Sequence, residues 1–234
     1  MTIRSRFLSI IALGGLAACG SETPVPEPGG NTTAVAPTPA QPVSGPERRI
    51  LAFGDSLFAG YGVAPEESYP AQLEAALRAR GINAKVTNAG VSGDTTAAGL
   101  DRLDYVLSSQ AHAPDLAIVE LGGNDLLRSI APSETRKNLE GILENLLERN
   151  IPVLLMGMRA PPNMGPQFQQ DFDEIYPDLA EQYDAELVPF FLAPVYDQPD
   201  LIQPDRVHPT AQGLERIVEA TADDVAEALP PPTP

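Results

Sequence analysis

Short apolar runs alternate with longer amphipathic segments along most of this chain, and this alternation constrains the fold more than any other feature. Five apolar runs are bounded by glycine, proline or polar turn residues, as expected of buried strands. They cover residues 49–53, 84–87, 115–121, 153–158 and 187–188. Segments with apolar residues at helical spacing follow them, at 69–80, 96–108, 133–150, within 167–183, and at 209–229.

Strands that alternate with helices are joined by crossovers, so they pair in parallel and carry helices on both faces. The sequence therefore predicts a three-layer α/β/α sandwich of the flavodoxin-like kind, with a five-stranded, mainly parallel sheet. Ser68 is the expected N-cap of the first long helix, and Gly81 is its expected stop. Ligands of such sheets bind beyond the carboxyl ends of the strands, so the residues that follow each strand are the candidates for chemistry.

The first 18 residues have the pattern of an export signal, in which two arginines precede an apolar run at 7–16 and two alanines follow it. That run is shorter than the roughly 20 residues of a membrane-spanning helix. Residues 16–19, Leu-Ala-Ala-Cys, resemble the lipobox of bacterial lipoproteins, whose cysteine becomes N-terminal and lipidated. Cys19 is the only cysteine in the chain. An ordinary signal peptide cut near Ala18 is the alternative interpretation.

Composition predicts the domain boundaries. Residues 19–47 are rich in proline, threonine and glycine without a hydrophobic period, so they are expected to be a tether to a membrane through a lipid on Cys19. Residues 48–229 form the predicted globular domain, and 230–234 are a proline-rich tail. The protein is expected to be exported to the periplasmic side of a membrane, with the outer membrane favoured, or to the cell surface.

The formal net charge of −17 restricts the partners of this chain. So acidic a protein is repelled by phosphate backbones and by anionic lipid, so nucleic acid is not an expected partner. Membrane attachment would depend on acyl chains and not on a basic patch. The sequence of the domain contains no cluster of metal-ligand motifs, and neither a metal nor an organic cofactor is expected.

Polar residues suited to catalysis follow the predicted strands. Ser56 follows the first strand on a turn into a helix, where a hydroxyl is well placed as a nucleophile. A glycine-rich loop at 88–94 follows the second strand and lets a backbone amide approach a ligand closely. Asn124 follows the third strand. The neighbouring Asp55 and Asp125 are expected to accept hydrogen bonds from loop amides.

A serine hydroxyl needs an adjacent base to act as a nucleophile, and imidazole is the usual one. The chain has two histidines. His112 precedes the third strand and is therefore expected in a loop at the opposite end of the sheet. His208 lies three residues after Asp205, and a turn there can fold the carboxylate back onto the ring nitrogen that faces away from the serine. Pro209 restricts the backbone of His208 to extended values.

These segments resemble, in order and spacing, the conserved blocks of the SGNH (GDSL) hydrolases, and most closely the bacterial multifunctional thioesterase, lysophospholipase and arylesterase branch. The resemblance rests on Gly-Asp-Ser-Leu at 54–57, on the loop at 88–95, on Val-Glu-Leu-Gly-Gly-Asn-Asp at 119–125, and on Asp-Arg-Val-His at 205–208. Shorter matches lie at 175–177 and 188–191.

The resemblance implies Ser56 as the nucleophile, with Asp205 and His208 as its relay. It also implies an oxyanion hole made of the Ser56 amide, the Gly93 amide and the Asn124 side chain. Such donors stabilise the charge that develops on the carbonyl oxygen during attack, and the loss of one can cost ~10² to 10³ in rate.

The walls of an acyl pocket are predicted from apolar residues that follow the third and fourth strands. The candidates are Leu126, Leu127, Ile130, Met158 and Met164. The first three are explained equally well as packing residues. The two methionines lie in a segment rich in methionine and proline, which suits an adaptable apolar groove.

The expected reaction is hydrolysis of short to medium acyl or aryl esters through an acyl-enzyme, with thioesters and lysophospholipids as further candidate substrates. A carbohydrate O-deacetylase with the same triad is an open alternative, because it differs only in pocket shape. A non-catalytic lipid- or glycan-binding lipoprotein would be expected to lack a triad or oxyanion residue, and none is missing. Phosphodiester hydrolysis would usually need metal ligands or basic clamps, and only Arg128, Arg159 and Arg206 lie near the motifs.

Overall fold

A computed structural model describes residues 43–231 and contains one five-stranded sheet. The strands are β1 (Arg48–Gly54), β2 (Ala84–Gly90), β3 (Leu116–Glu120), β4 (Val153–Met156) and β5 (Glu186–Val188). Every neighbouring pair is parallel, and the order across the sheet is β2-β1-β3-β4-β5. This order confirms the predicted flavodoxin-like sheet.

The apolar runs of the sequence are continuous because the central strands are covered on both faces. All five residues of β3 are buried, and so are all four of β4. Parallel strands of this kind carry apolar side chains without alternation, since neither face meets water. The edge strand β5 has three residues, of which only Val188 is buried.

Eight α-helices accompany the sheet within residues 43–231. They are α1 (Ser56–Ala59), α2 (Tyr69–Ala79), α3 (Thr96–Ser109), α4 (Gly123–Leu127), α5 (Pro132–Glu148), α6 (Pro166–Asp173), α7 (Ile175–Tyr183) and α8 (Ala211–Ala228). The α2 helix packs against α8, and α3 packs against α5. Right-handed crossovers place these two pairs on opposite faces of the sheet, which confirms the predicted three layers.

Three helical features differ from the prediction. The α1 and α4 helices have four and five residues, so they are too short to show a periodic apolar pattern. The single helix expected within 167–183 is two helices that meet at Glu174. Pro177 explains the break, because it lacks the amide that would donate to the carbonyl four residues earlier.

Ser68 precedes α2 as expected, but its side chain does not cap the helix. Pro70 occupies the second position of α2 and has no amide for the serine to accept from. The Ser68 hydroxyl instead donates to the Pro65 carbonyl at 2.8 Å, closing a short 3₁₀ turn. Gly81 does follow the end of α2, in the left-handed conformation (φ 84) that favours glycine at a helix stop.

No helix within residues 43–231 is long and apolar enough to cross a membrane. In the same part of the chain, no group of three or more His, Cys, Asp or Glu side chains is arranged to hold a metal ion. The predicted export signal, the lipidation site Cys19 and nearly all of the predicted tether lie outside the described residues.

Candidate active site

The carboxyl end of the sheet gathers the predicted polar segments because β1 lies between β2 and β3. Gly54, Gly90 and Glu120 are the last residues of these three strands, and Gly54 is the register partner of both others. The segments that continue from them therefore start side by side. The chain order reverses at β1, so the site lies at the topological switch point of the sheet.

Ser56, His208 and Asp205 form a continuous hydrogen-bonded chain. His208 Nε2 lies 2.8 Å from Ser56 Oγ, and His208 Nδ1 lies 2.7 Å from Asp205 Oδ2. A carboxylate only accepts, so it favours the tautomer with the proton on Nδ1 and leaves Nε2 free to accept from the serine hydroxyl. The fold thus brings together three residues that lie up to 152 positions apart in the chain.

Asp205 is held mainly by its own turn. Its Oδ1 accepts from the amides of Val207 at 2.9 Å and His208 at 3.1 Å. Partial desolvation raises the pKa of Asp205, but the Val207 amide and the bonds from His208 outweigh it and lower the pKa to about 2. The side chain of Asp205 is 37% exposed and that of His208 only 16%. Asp205 is therefore ionised and within reach of water.

The polypeptide around Ser56 is packed tightly from two sides. Asp55 caps α1 by accepting from the Leu57 amide at 3.0 Å. Phe58 is fully buried and stacks on Tyr69 with ring centroids 5.0 Å apart. A Cβ atom on Gly90 would lie 2.3 Å from the Ala59 nitrogen, so the end of β2 can touch α1 only because this residue is glycine. Ser56 itself is 9% exposed.

The predicted oxyanion residues lie in loops that are bonded to one another. The Asn124 side chain donates to Asp55 Oδ2 at 2.9 Å, next to the serine. Gly93 has a positive φ of 87, in the loop after β2. Its carbonyl accepts from Arg128 Nη2 at 2.7 Å, which joins that loop to the end of α4.

Asp125 accepts from a loop amide, as expected, and also from hydroxyls. Its Oδ2 accepts from the Thr96 amide at 2.9 Å, and its Oδ1 accepts from the Thr96 and Thr135 hydroxyls. Asp125 is fully buried, so these donors replace the water that the carboxylate has lost. His112, in contrast, is an exposed loop residue near Glu47 and Arg49, at the other end of the sheet.

A cavity of about 280 Å³ opens beside Ser56. Of the predicted wall residues it includes Leu126, Leu127 and Met158. Further apolar side chains complete the wall: Pro161, Phe190, Leu192, Tyr196, Ile202 and Val207. Arg159 and Arg206 also line the cavity, which is otherwise mostly apolar.

Two of the predicted wall residues do not line this cavity. Ile130 follows Ser129, whose left-handed backbone (φ 52) turns the chain after α4, so Ile130 does not continue the wall begun by Leu126. Met164 ends a short 3₁₀ helix and packs against the hydrophobic core. Ile130 and Met164 are therefore not part of the wall of this cavity.

The sequence analysis did not predict the cavity residues that lie between β5 and α8, although the position of one of them after a strand indicated it. Phe190 follows β5, and the rule that ligands bind beyond strand ends applies to it as much as to Ser56. Leu192, Tyr196 and Ile202 lie in a long connection without regular periodicity, so only the tertiary structure shows their position.

Tyr61 and Gln203 also belong to the site and were not predicted. The Tyr61 ring lies 4.4 Å from the His208 ring. Gln203 donates from its backbone amide to the His208 carbonyl at 2.7 Å and from its side chain to the Tyr61 carbonyl at 2.8 Å. These bonds join the loop after α1 to the turn that carries the histidine.

Comparisons with known proteins agree with this geometry. Residues 52–216 match the GDSL-like Lipase/Acylhydrolase family. An arylesterase of Vibrio mimicus is 38% identical over 181 residues, which cover 77% of this chain and 90% of that protein. The Thioesterase 1/protease 1/lysophospholipase L1 of Escherichia coli strain K12 is 39% identical over 182 residues, covering 78% and 83%.

Solved structures lead to the same family. The crystal structure of AlinE4, an SGNH-hydrolase family esterase, is 67% identical and has a TM-score of 0.68, covering 80% of this chain and 100% of that one. The family match and the curated relatives cover most of the domain that carries the cavity. The protein is therefore an esterase of the SGNH type that belongs to the GDSL-like lipase/acylhydrolase family.

Proposed function

We propose that this protein hydrolyses carboxylic esters through an acyl-enzyme on Ser56, with His208 as general base and Asp205 as its orienting carboxylate. The observation that carries the proposal is the unbroken chain of hydrogen bonds from Ser56 Oγ through His208 to Asp205, beside an apolar cavity. A hydroxyl, an imidazole and a carboxylate in this order are the parts that nucleophilic acyl transfer needs.

The reaction proceeds in two halves. His208 Nε2 takes the proton of Ser56 while Oγ attacks the ester carbonyl, and the imidazolium then gives that proton to the departing alcohol. Water enters, loses a proton to His208 and attacks the acyl-serine. As the carboxylic acid leaves, His208 returns that proton to Ser56 Oγ and the serine is restored. Asp205, being ionised, stabilises the imidazolium that forms in each half.

The tetrahedral intermediates carry a negative oxygen that needs donors. The amides of Ser56 and Gly93 and the side chain of Asn124 are the proposed donors. The Asn124 amide nitrogen carries two N–H groups, and its bond to Asp55 uses one of them. The other is available for the oxyanion, and it is held in place before the substrate arrives, which is what makes such a donor effective.

The proposed substrates are esters with a short to medium acyl chain or an aryl group. At about 280 Å³ the cavity is slightly smaller than most ligand sites, which span roughly 300 to 1,000 Å³. Its apolar wall favours hydrocarbon over sugar. The names of the two curated relatives, an arylesterase and a thioesterase/lysophospholipase, support testing aryl esters first and thioesters and lysophospholipids next.

Hydrolysis of 4-nitrophenyl esters from acetyl to palmitoyl tests this proposal, beside an acetylated oligosaccharide. We expect kcat/KM to peak at one acyl length in the short to medium range and to be abolished in Ser56→Ala. Ser108→Ala, at the exposed end of α3, is the matched control and should behave as the wild type. Ester hydrolysis that persists in Ser56→Ala, or deacetylation of the sugar alone, would contradict the proposal.

We further propose that the full chain is an exported lipoprotein, anchored through Cys19 to the periplasmic side of a membrane or to the cell surface. The support is the Leu-Ala-Ala-Cys segment at 16–19 and the proline-rich stretch up to residue 47. Expression of the full chain in a Gram-negative host with radiolabelled palmitate should label the wild type and leave Cys19→Ser unlabelled. Equal labelling of both, or of neither, would exclude lipidation at this residue.

A further inference from the structure

Two carboxyl groups that the proposed reaction does not use lie beneath the nucleophile. Asp55 is 2% exposed, and Glu120, at the end of β3, is fully buried. The Asp55 amide donates to Glu120 Oε2 at 3.4 Å, so the two acidic residues are in contact, and each affects the pKa of the other. Neither takes part in an ion pair with a described lysine or arginine.

Gly54 makes room for the Glu120 side chain. The two residues are register partners in β1 and β3, so their side-chain positions are neighbours on the sheet. A Cβ atom on Gly54 would lie 2.9 Å from Glu120 Oε2 and 2.7 Å from the Glu120 carbonyl oxygen. The glycine that precedes Asp55 is therefore needed to place an acid against it.

A proton on one of the two carboxyl groups can neutralise this pair. Two buried carboxylates in contact cannot both be charged without a large free-energy cost, so one must bind a proton. Burial raises the pKa of Glu120 well above its ordinary value, and the Asp55 charge raises it further. Burial also raises the pKa of Asp55, but the Leu57 amide, Glu120 and Asn124 oppose that rise. These causes favour Glu120 over Asp55 as the group that binds the proton.

The hydrogen bonds lead to the same assignment. Both oxygens of Asp55 accept, from the Leu57 amide at 3.0 Å and from the Asn124 side chain at 2.9 Å, as suits a carboxylate. Glu120 Oε1 is buried and has no donor among the described residues. An unpartnered buried carboxylate oxygen is costly, whereas a protonated one can donate to Asp55 and be satisfied.

We propose that Glu120 is a positioning residue: as a neutral acid it donates a hydrogen bond to Asp55 and thereby fixes the carboxylate that orients the Asn124 side chain. The relay runs from the interior of the sheet to the reacting centre, Glu120 to Asp55 to Asn124. Because Glu120 is neutral, this chain of hydrogen bonds orients the Asn124 amide without adding a second negative charge near the oxyanion. This inference rests on the proposed role of Asn124.

A double-mutant cycle tests the relay. Glu120→Met removes the donor at similar size, Glu120→Gln keeps a donor with the same shape, and Asn124→Ala removes the end of the relay. We expect Glu120→Met to lower kcat by about tenfold or more, less than the ~10² to 10³ of losing an oxyanion donor outright, with KM little changed. Glu120→Gln should recover most of that loss.

In the Asn124→Ala background, Glu120→Met should change kcat by less than about twofold, because residues that act through one another are not additive. An equal loss in both backgrounds would show that Glu120 does not act through Asn124, and an unchanged kcat in Glu120→Met would remove its role altogether. Asn124→Ala alone tests the proposed function: if kcat is unchanged there, the oxyanion role is wrong whatever Glu120 does.

An infrared measurement keeps the test independent of how well Glu120→Met folds. At neutral pH the wild-type protein should show the carbonyl stretch of a buried protonated carboxylic acid, and Glu120→Gln should lack it. If the band is absent from the wild type, or persists in Glu120→Gln, then Glu120 is not the neutral acid and the inference is overturned.

Discussion

The ring of Tyr61 packs on the imidazole of His208, with ring centroids 4.4 Å apart and the two planes tilted by 32°. Tyr61 is also 52% exposed, so it covers one face of the imidazole and meets solvent with its other side. Gln203 holds both partners by donating to their carbonyl oxygens. The Tyr61 ring therefore restricts the His208 imidazole in addition to the hydrogen bonds that join its Nδ1 to Asp205 and its Nε2 to Ser56.

The first prediction follows from this packing. Tyr61→Ala should lower kcat by about three- to tenfold, equivalent to ~0.6 to 1.4 kcal/mol, because the imidazole can then leave the line between Ser56 and Asp205. Both variants keep the Tyr61 carbonyl that accepts from Gln203, but only Tyr61→Phe keeps the ring, so it should stay within about twofold of the wild type. Steady-state kinetics of both variants make the comparison, and an equal loss in the two would point to the hydroxyl instead of the ring.

The substitution Asp205→Asn should lower kcat more than Asp205→Ala. An asparagine can donate to Nδ1 and hold the wrong tautomer, an effect that costs ~10⁴ in a buried triad. With alanine, water can take the place of a carboxylate that is 37% exposed. We therefore expect Asp205→Ala to keep roughly a tenth or more of kcat and Asp205→Asn to lose about a hundredfold or more. The reverse order would show that a polar side chain at position 205, and not the tautomer of His208, dominates.

The pH dependence of activity should contain no step from Asp205 in the usual assay range. Its pKa is lowered to about 2, so its contribution is complete above the ordinary pKa of an aspartate and is lost only as the pH falls through that lowered value. Between pH 3.5 and 9, the kcat profiles of the wild type and Asp205→Ala should differ in height, and neither should gain or lose a limb near pH 4 to 5. A limb there that disappears in Asp205→Ala would contradict the lowered pKa.

Gly90 is predicted to be intolerant of even one methyl group. A Cβ there would lie 2.3 Å from the Ala59 nitrogen and 2.8 Å from the Asp55 carbonyl oxygen, both backbone atoms that cannot move aside freely. Gly90→Ala should lower the free energy of unfolding by about 3 kcal/mol or more and reduce kcat, because α1 carries Ser56.

Gly81→Ala is the matched control for Gly90→Ala. Gly81 has a positive φ but open space around its Cα, so alanine should cost ~1 to 2 kcal/mol of stability without a change in kcat. Chemical unfolding and esterase assays on the same samples separate the two effects. Equal stability and activity in Gly90→Ala and Gly81→Ala would exclude the steric argument.

Arg159 and Arg206 should favour esters that carry a negative group. Their side chains line the cavity and make no hydrogen bond or ion pair with another described residue, and the only acidic group of the lining is the buried Asp55. Arg159→Gln and Arg206→Gln should raise KM for the 4-nitrophenyl monoester of succinate about three- to tenfold, which corresponds to ~0.6 to 1.4 kcal/mol.

The neutral 4-nitrophenyl butyrate, of similar length, is the control substrate for these arginine variants, and its KM should hardly change. Added salt should reduce the difference between the two substrates in the wild type, because the arginines are exposed and their charges are screened. Equal changes in KM for both substrates would show that the arginines act through packing and not through charge.

Local sequence patterns predicted the sheet, the layers and the strand-end motifs. Apolar runs bounded by turn residues located all five strands, and the signal was clearest in the central strands β3 and β4, which are covered on both faces. Gly-Asp-Ser-Leu and Asp-Arg-Val-His marked the two ends of the hydrogen-bonded chain, because each is a short turn whose geometry depends on adjacent residues. Where the periodicity was too short or interrupted, at α1, α4 and the break at Glu174, the pattern was insufficient.

The sequence by itself therefore determined the order of the elements and which residues follow each strand, since these depend on neighbours in the chain. The tertiary structure alone decided which side chains line the cavity, why Ile130 and Met164 do not, and why Phe190 and Tyr196 do. It also decided that Glu120, at the end of an apolar run, meets Asp55 beside Gly54. Such contacts depend on strand register and on the path of long loops, and neither is encoded in the residues next to one another in the chain.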